Sequence, residues 1–78
     1  MVCGSGTGMA ISANKYKRIR AAVCYNKAST RLSRKHNNAN ILALGSRLIN
    51  RQNAILLVNI FLSTKFEGGR HLRRVKKI

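Results

Sequence analysis

The first sixteen residues join an apolar run, a glycine-rich turn and a helical segment, and this order restricts the fold more than any other feature. Met1, Val2 and Cys3 are apolar, and glycine follows at positions 4, 6 and 8. Residues 9–16 then suit a helix. Because glycine has no Cβ, the backbone of such a turn can bend sharply and approach a neighbouring group closely. The pattern predicts a strand that ends at Cys3, a tight turn and a helix.

The turn also has the chemistry of an anion site. A following helix presents free N–H groups and the positive end of its dipole to the turn, which suits a phosphate, a carboxylate or a reaction oxyanion. Cys3 lies at the edge of this turn, where positive charge favours the thiolate. Taken alone the pattern is weak, and these residues by themselves favour a structural turn with a buried cysteine. The pattern argues against a dinucleotide site because the G-x-G-x-x-G spacing and its later acidic residue are missing.

The length and the cysteine count favour one small intracellular domain. The chain has 78 residues and two cysteines, too few for a disulfide scaffold. A domain of this size buries only about 60% of the surface of its unfolded chain and is marginally stable alone. The sequence has no signal peptide and no apolar run of roughly 20 residues. We therefore expect a cytoplasmic protein with reduced thiols and no membrane segment.

The charge is the most unusual bulk property. Sixteen Lys and Arg residues against one acid give a formal net charge of +15. Such a chain binds polyanions without specificity. Aromatic residues are few and form no stacking platform, and the basic residues are spread over the whole chain. We expect at most nonspecific nucleic-acid binding. A small basic nucleic-acid-binding protein and a non-functional fragment remain the alternative interpretations.

Strand-like and helix-like segments alternate along the chain. The predicted elements after the first helix are a strand at 19–24, a helix at 27–35, a strand at 41–44, an apolar helix at 54–62 and a basic helix at 70–78. Asn26 and Ser29 are both candidate N-caps for the second helix. The β-branched residues of segment 54–62 would also suit a strand. The alternation predicts an α/β fold with a parallel sheet and right-handed crossovers.

Ligands of parallel α/β sheets bind outside the carboxyl ends of the strands. Three polar or glycine-containing segments follow predicted strands, at residues 3–8, 24–26 and 45–47. We expect them to lie together at one rim. His36 comes just before a strand, so it should face the opposite rim unless a second subunit brings it to the same site.

Stretches along nearly the whole chain resemble the ribose-5-phosphate isomerase B family, in the order in which that family has them. They are CGSGTGM at 3–9, SANK at 12–15, IRAA at 19–22, SRKHNNAN at 33–40, ALGSR at 43–47, FEGGRH at 66–71 and RRV at 73–75. The related galactose-6-phosphate isomerase subunits share the tail, but their loop is less similar and lacks the cysteine. Cys3 therefore favours the ribose branch.

The resemblance implies a Rossmann-like three-layer α/β/α sandwich with a parallel sheet, of which this chain is only the C-terminal half. Residues 1–78 would form a single partial domain that ends in the basic helix at 70–78. The family's first half, with an Asp-His pair that holds the sugar phosphate, has no counterpart here. This implies a truncated chain that is weak or inactive alone, with a separate N-terminal half as a possible partner. The family also implies a homodimer or higher oligomer with active sites between subunits.

The implied reaction interconverts ribose 5-phosphate and ribulose 5-phosphate through a cis-enediolate, in the pentose phosphate pathway, with no metal and no cofactor. Cys3 would be the base at carbon, and Ser5 with backbone N–H groups around Gly4, Gly6 and Gly8 would hold the enediolate oxygen. The resemblance assigns the other roles as follows: His36 opens the sugar ring, Asn37 orients hydroxyl groups, and Arg47, Arg70 and Arg74 bind the phosphate. Arg70 and Arg74 are four residues apart, on one helix face. His71 receives no role.

Overall fold

Three parallel strands alternate with helices, and a fourth helix ends the chain, as the computed structural model of residues 1–78 shows. The elements are β1 (Val2–Cys3), α1 (Thr7–Ala13), β2 (Ala21–Val23), α2 (Lys27–Lys35), β3 (Ile41–Gly45), α3 (Arg51–Ser63) and α4 (Arg70–Lys76). The predicted α/β class and parallel sheet are confirmed. Segment 54–62, which also suited a strand, is helical.

The sheet has the strand order β1-β3-β2. Val2 lies opposite Leu44 and Ala21 lies opposite Ile41, both in parallel register. The chain crosses from one edge strand to the other and then returns to the centre. Because the direction of the crossover reverses, right-handed connections place α1 and α2 on opposite faces of the sheet. The central strand β3 is covered on both faces, which explains its uninterrupted apolar sequence.

Helix α2 has the predicted bounds because its start signal is local. The Asn26 side chain accepts a hydrogen bond from the Ser29 N–H at 2.7 Å, and the Ser29 hydroxyl accepts one from the Asn26 N–H at 3.3 Å. The two predicted candidate caps thus form one reciprocal capping box. Helix α3 begins three residues before its predicted start, since the Asn50 side chain caps it by accepting from the Asn53 N–H at 2.9 Å.

Long-range contacts set the ends of α1 and β2, and the predicted bounds were less accurate there. Helix α1 begins at Thr7, directly after Gly6, and stops at Ala13. The Asn14 side chain then exchanges two hydrogen bonds with the backbone of Ala21, at 2.7 and 2.9 Å. Strand β2 starts only at Ala21, because Arg20 before it binds the loop that precedes β3. The Arg20 N–H donates to the side chain of Asn40 at 2.8 Å.

The core is small, with 11 of the 78 residues buried. Its apolar members are Ala10, Cys24, Ala39, Ala43, Leu44, Leu57 and Val75. On α3 only Leu57 is buried, whereas Ile55, Val58 and Leu62 face solvent. One apolar face of this helix is therefore open. None of the helices has the length and apolar character needed to cross a membrane.

Candidate functional site

The glycine-rich turn lies at the carboxyl end of β1, as predicted. Gly6 adopts φ 84°, a conformation that favours glycine, and its N–H donates to Sγ of Cys3 at 2.9 Å. Cys3 is only partly buried. The turn therefore holds the thiol in place through a backbone hydrogen bond to its sulfur.

The segment after β3 holds this turn from the side. The Ser46 N–H donates to the Cys3 carbonyl at 2.7 Å, and the Arg47 N–H donates to the Gly4 carbonyl at 3.0 Å. A Cβ at Gly45 would lie 2.6 Å from the Ser5 carbonyl oxygen, closer than any side chain allows. The sequence analysis placed Gly45 in a segment at this rim but missed this close approach. The available signal was a glycine at the end of one predicted strand, when another predicted strand of the same sheet ends in a glycine-rich turn.

Arg47 lies against the turn, as the sequence predicted for a residue at the same rim. A Cβ at Gly4 would be 3.1 Å from Nε of Arg47, so the guanidinium group lies beside the turn backbone. This places a fixed positive charge close to Cys3, where an anionic ligand can be held. Gly8, by contrast, lies within α1 and has no atom within 4 Å of a Cβ position. Packing does not require glycine there.

His36 and Asn37 lie at the opposite rim of the sheet. Helix α2 runs from the carboxyl end of β2 back toward the amino end of β3, and His36 is its C-cap. Arg74 of α4 donates to the Asn37 side chain, and its second nitrogen donates to the His36 carbonyl at 2.7 Å. The structure therefore joins His36, Asn37 and Arg74 in one group, which is separated from the Cys3 turn by the length of β3.

His71 belongs to this second group, although the sequence analysis gave it no role. Its ring stacks on the ring of His36, with the centroids 4.2 Å apart and the planes inclined by 20°. Its Nε2 is buried and has no hydrogen-bond partner. Desolvation, followed by the nearby positive groups of His36, Arg70 and Arg74, lowers the pKa of His71 below 6.5. The only available signal was its position between two arginines assigned to phosphate.

Segment 66–69, which precedes α4, contacts the C-terminal end of α2. The Glu67 N–H donates to the Lys35 carbonyl at 3.2 Å, and the two side chains form an ion pair at 3.8 Å. Arg70 is exposed at the first position of α4, four residues before Arg74. Both arginines therefore share one face of α4. Arg74 also contacts the histidine pair, since its Nη2 lies 3.4 Å from Nδ1 of His71.

The predicted site residues thus form two groups at opposite rims. Cys3, Ser5, Gly4, Gly6 and Arg47 lie at the carboxyl rim. His36, Asn37, Arg70 and Arg74 lie at the amino rim. The five residues of β3 span about 16 Å at ~3.3 Å each. Within one chain the two groups are therefore separated by the length of this strand.

Comparison with known proteins places the chain in a family. The family described as Ribose/Galactose Isomerase matches residues 1–78. Ribose-5-phosphate isomerase B of Escherichia coli strain K12 is 46% identical over 78 residues, which are 100% of this chain and 52% of that protein. The solved ribose 5-phosphate isomerase of Thermotoga maritima is 55% identical with a TM-score of 0.95, and the match covers 97% of this chain and 52% of that one.

A third match is the Mycoplasma genitalium ribose-5-phosphate isomerase B structure with bound ribulose-5-phosphate. It is 43% identical with a TM-score of 0.95, over 97% of this chain and 50% of that chain. The chain spans about half the length of the relatives it matches. The fold is the Rossmann-like α/β fold of these structures, and the chain belongs to the ribose/galactose isomerase family.

Proposed function

We propose that this chain forms the proton-transfer part of an isomerase that interconverts ribose 5-phosphate and ribulose 5-phosphate in the cytoplasm, within the pentose phosphate pathway. The observation that carries the proposal is the Gly6 N–H directed at Sγ of Cys3 in a turn that Arg47 flanks. Relatives named as ribose-5-phosphate isomerases support the substrate, as does the ribulose-5-phosphate bound in the Mycoplasma genitalium structure.

In this mechanism the Cys3 thiolate removes the proton from C2 of the open-chain aldose. The electron pair forms the C1–C2 double bond of a cis-enediolate, and negative charge develops on the carbonyl oxygen. Backbone N–H groups of the turn and the Ser5 hydroxyl stabilise this oxygen. The proton of the C2 hydroxyl moves to the C1 oxygen, Cys3 delivers a proton to C1, and the electron pair on the C2 oxygen forms the carbonyl group of the ketose. The reaction is a net proton shift and consumes no other reactant.

The amino-rim group completes the site from a second copy of the chain. His36 of that copy would open the furanose ring, Asn37 would bind hydroxyl groups, and Arg70 and Arg74 would bind the phosphate. The distance between the two rims within one chain supports this arrangement. The open apolar face of α3 supports it too, because such a face is usually covered in an assembly. The proposal therefore includes a homodimer or a higher oligomer.

The relatives carry about as much chain again as the part that matches here. We propose that full activity needs this complementary half of the fold, on a longer form of the chain or on a separate one. Proton transfer needs the substrate to be placed within about an ångström, and an error of that size can cost ~100-fold in rate. The 78-residue chain alone should accordingly show little or no turnover.

The test combines the 78-residue chain with a complementary half taken from a close relative. We expect the mixture to convert ribose 5-phosphate to ribulose 5-phosphate, whereas either half alone is weak or inactive. Galactose 6-phosphate serves as the competing substrate in a parallel assay. Turnover of galactose 6-phosphate but not of ribose 5-phosphate would contradict the substrate. A folded, assembled mixture with no isomerase activity would contradict the proposed reaction.

A further inference from the structure

Both histidines of the chain and its single acidic side chain meet at one point. The sequence contains two His residues and one Asp or Glu in total. The structure brings them together from three places: His36 from the end of α2, Glu67 from the segment before α4, and His71 from α4. Their possible ligand atoms all lie within 4.8 Å of one another. In a chain with sixteen cations, this is the only place where a carboxylate faces imidazole nitrogens.

Two imidazoles and one carboxylate are a ligand set for a divalent transition metal. Zn²⁺ binds such nitrogen and oxygen atoms at about 2.0–2.2 Å and keeps a fourth position for water or another ligand. The three groups would need to close by roughly an ångström to reach these bond lengths. Glu67 can make this movement because its side chain is 51% exposed. His71 has an additional reason to coordinate, since a metal would satisfy its buried, unpartnered Nε2.

The cations nearest to the cluster, Lys35, Arg70 and Arg74, oppose a metal ion. Lys35 pairs with Glu67 at 3.8 Å in an exposed ion pair, which contributes little to stability and can give way. Arg74 donates to the Asn37 side chain and the His36 carbonyl, and the nitrogen that binds this carbonyl also lies 3.4 Å from Nδ1 of His71, so Nε2 is the His71 atom left for a metal. The remaining repulsion disfavours weakly held ions such as Mg²⁺ and Ca²⁺. It leaves metals with a high affinity for imidazole, such as Zn²⁺ and Cu²⁺.

We propose that His36, Glu67 and His71 form a binding site for a divalent transition metal, with Zn²⁺ as its representative ion. The metal is a regulator and not a participant in proton transfer, because the proposed mechanism assigns that transfer to Cys3 and not to His36, Glu67 or His71. Binding would draw His36 away from the sugar, so the metal would inhibit the isomerase. The inhibition rests on the proposed function, whereas the binding site does not.

The direct test is a Zn²⁺ titration of the 78-residue chain followed by NMR of its imidazole groups. A Cys3→Ser/Cys24→Ser background removes both thiols as competing ligands. Since the chain has two histidines, the spectrum has two ring systems. We expect both to shift together and to saturate at one equivalent of Zn²⁺. A shift of one ring alone, or no saturation near one equivalent, would overturn the site.

A pair of variants tests the carboxylate. Glu67→Gln keeps the side-chain shape and removes the charge, and Arg73→Gln changes an exposed residue of α4 outside the cluster. Removing even an indirect partner of a metal typically costs 10–100-fold in affinity. We therefore expect Glu67→Gln to weaken Zn²⁺ binding at least about tenfold and Arg73→Gln to leave it unweakened. Equal affinity in Glu67→Gln and the parent chain would exclude Glu67 as a ligand and overturn the three-residue site.

Isomerase assays with and without Zn²⁺ distinguish the metal-site proposal from the proposed function. In the assembled isomerase, Zn²⁺ should inhibit turnover and a chelator should restore it. Tight binding without inhibition would contradict the regulatory effect while the NMR result upholds the site. An assembled protein without isomerase activity would contradict the proposed function, and the NMR titration would still decide the metal site.

Discussion

Gly45 and Gly8 differ in whether the fold has room for a side chain at their positions. A Cβ at Gly45 would meet the Ser5 carbonyl oxygen at 2.6 Å, whereas one at Gly8 would meet nothing within 4 Å. Gly45→Ala should therefore destabilise the fold by about 1–3 kcal/mol through overpacking. Gly8→Ala should stabilise it by roughly 0.5–1 kcal/mol, because alanine is the better helix residue. Urea unfolding followed by circular dichroism measures both, and changes of the same sign would contradict this packing.

Single residues also show where sequence analysis reaches its limit. Cys3 and Arg47 were predicted to share a rim, and they do, because parallel strands bring their carboxyl ends together. The stacking of His36 on His71 was not predicted. It depends on how α4 docks, which Arg74 fixes through contacts with residues far away in sequence. The assigned catalytic and binding roles stay predictions.

At the scale of elements, Arg34 connects α2 to the segment that follows it and to the residue that follows α3. Its Nε donates to the Thr64 carbonyl after α3 at 3.0 Å, and one terminal nitrogen donates to the Asn38 side chain at 3.0 Å and to the Ala39 carbonyl at 2.6 Å. The guanidinium carbon also lies 5.5 Å from the centre of the Phe61 ring. A lysine has one nitrogen and cannot reproduce this fork.

Arg34→Lys should consequently destabilise the protein by about 1.5–3 kcal/mol. Arg31→Lys is the matched control, since Arg31 is exposed on the same helix, and it should stay within about 0.5 kcal/mol of the parent. Thermal melts of the two variants and the parent compare their stabilities. Equal melting temperatures would show that the Arg34 contacts do not hold α2 and α3 together.

Element bounds followed from the sequence only where their signals are local. The capping box of Asn26 and Ser29 lies within four residues, so α2 was predicted with its observed bounds. The ends of α1 and β2 depend on Asn14 bonding to Ala21 and Arg20 bonding to Asn40. These contacts form only once the strands are paired. The spacing of apolar residues in the sequence does not predict them.

At the scale of the whole molecule, charge dominates. A net charge of +15 on 78 residues should make the chain bind RNA weakly and without sequence preference. If six or more phosphates are neutralised, affinity should fall about a thousandfold or more between ~50 and ~200 mM salt. Filter binding across this range with unrelated RNA sequences measures the effect. Sequence-selective binding that survives high salt would favour the alternative of a dedicated nucleic-acid-binding protein.

The sheet has two edges that no further strand covers. Its order is β1-β3-β2, so β1 and β2 are edge strands and each pairs with β3 alone. Bare sheet edges and the open face of α3 are surfaces that a second subunit or the complementary half would cover. Sequence analysis predicted an oligomer from the apolar helix and the family resemblance, and this stays a prediction. It gave no geometry for the contact.

The central claim is that the Cys3 sulfur moves the proton, and isotope exchange tests it most directly. The assembled isomerase is supplied with ribose 5-phosphate in D₂O, and deuterium at C1 of the ribulose 5-phosphate is measured for the parent, Cys3→Ala and Cys24→Ala. A positioned base contributes about 10²–10⁴-fold, so Cys3→Ala should lose at least ~100-fold in rate while phosphate binding is nearly unchanged. Cys24→Ala, which removes the buried thiol, should keep most of the activity. Full deuterium incorporation by Cys3→Ala would contradict the account and reduce the glycine turn to a binding element.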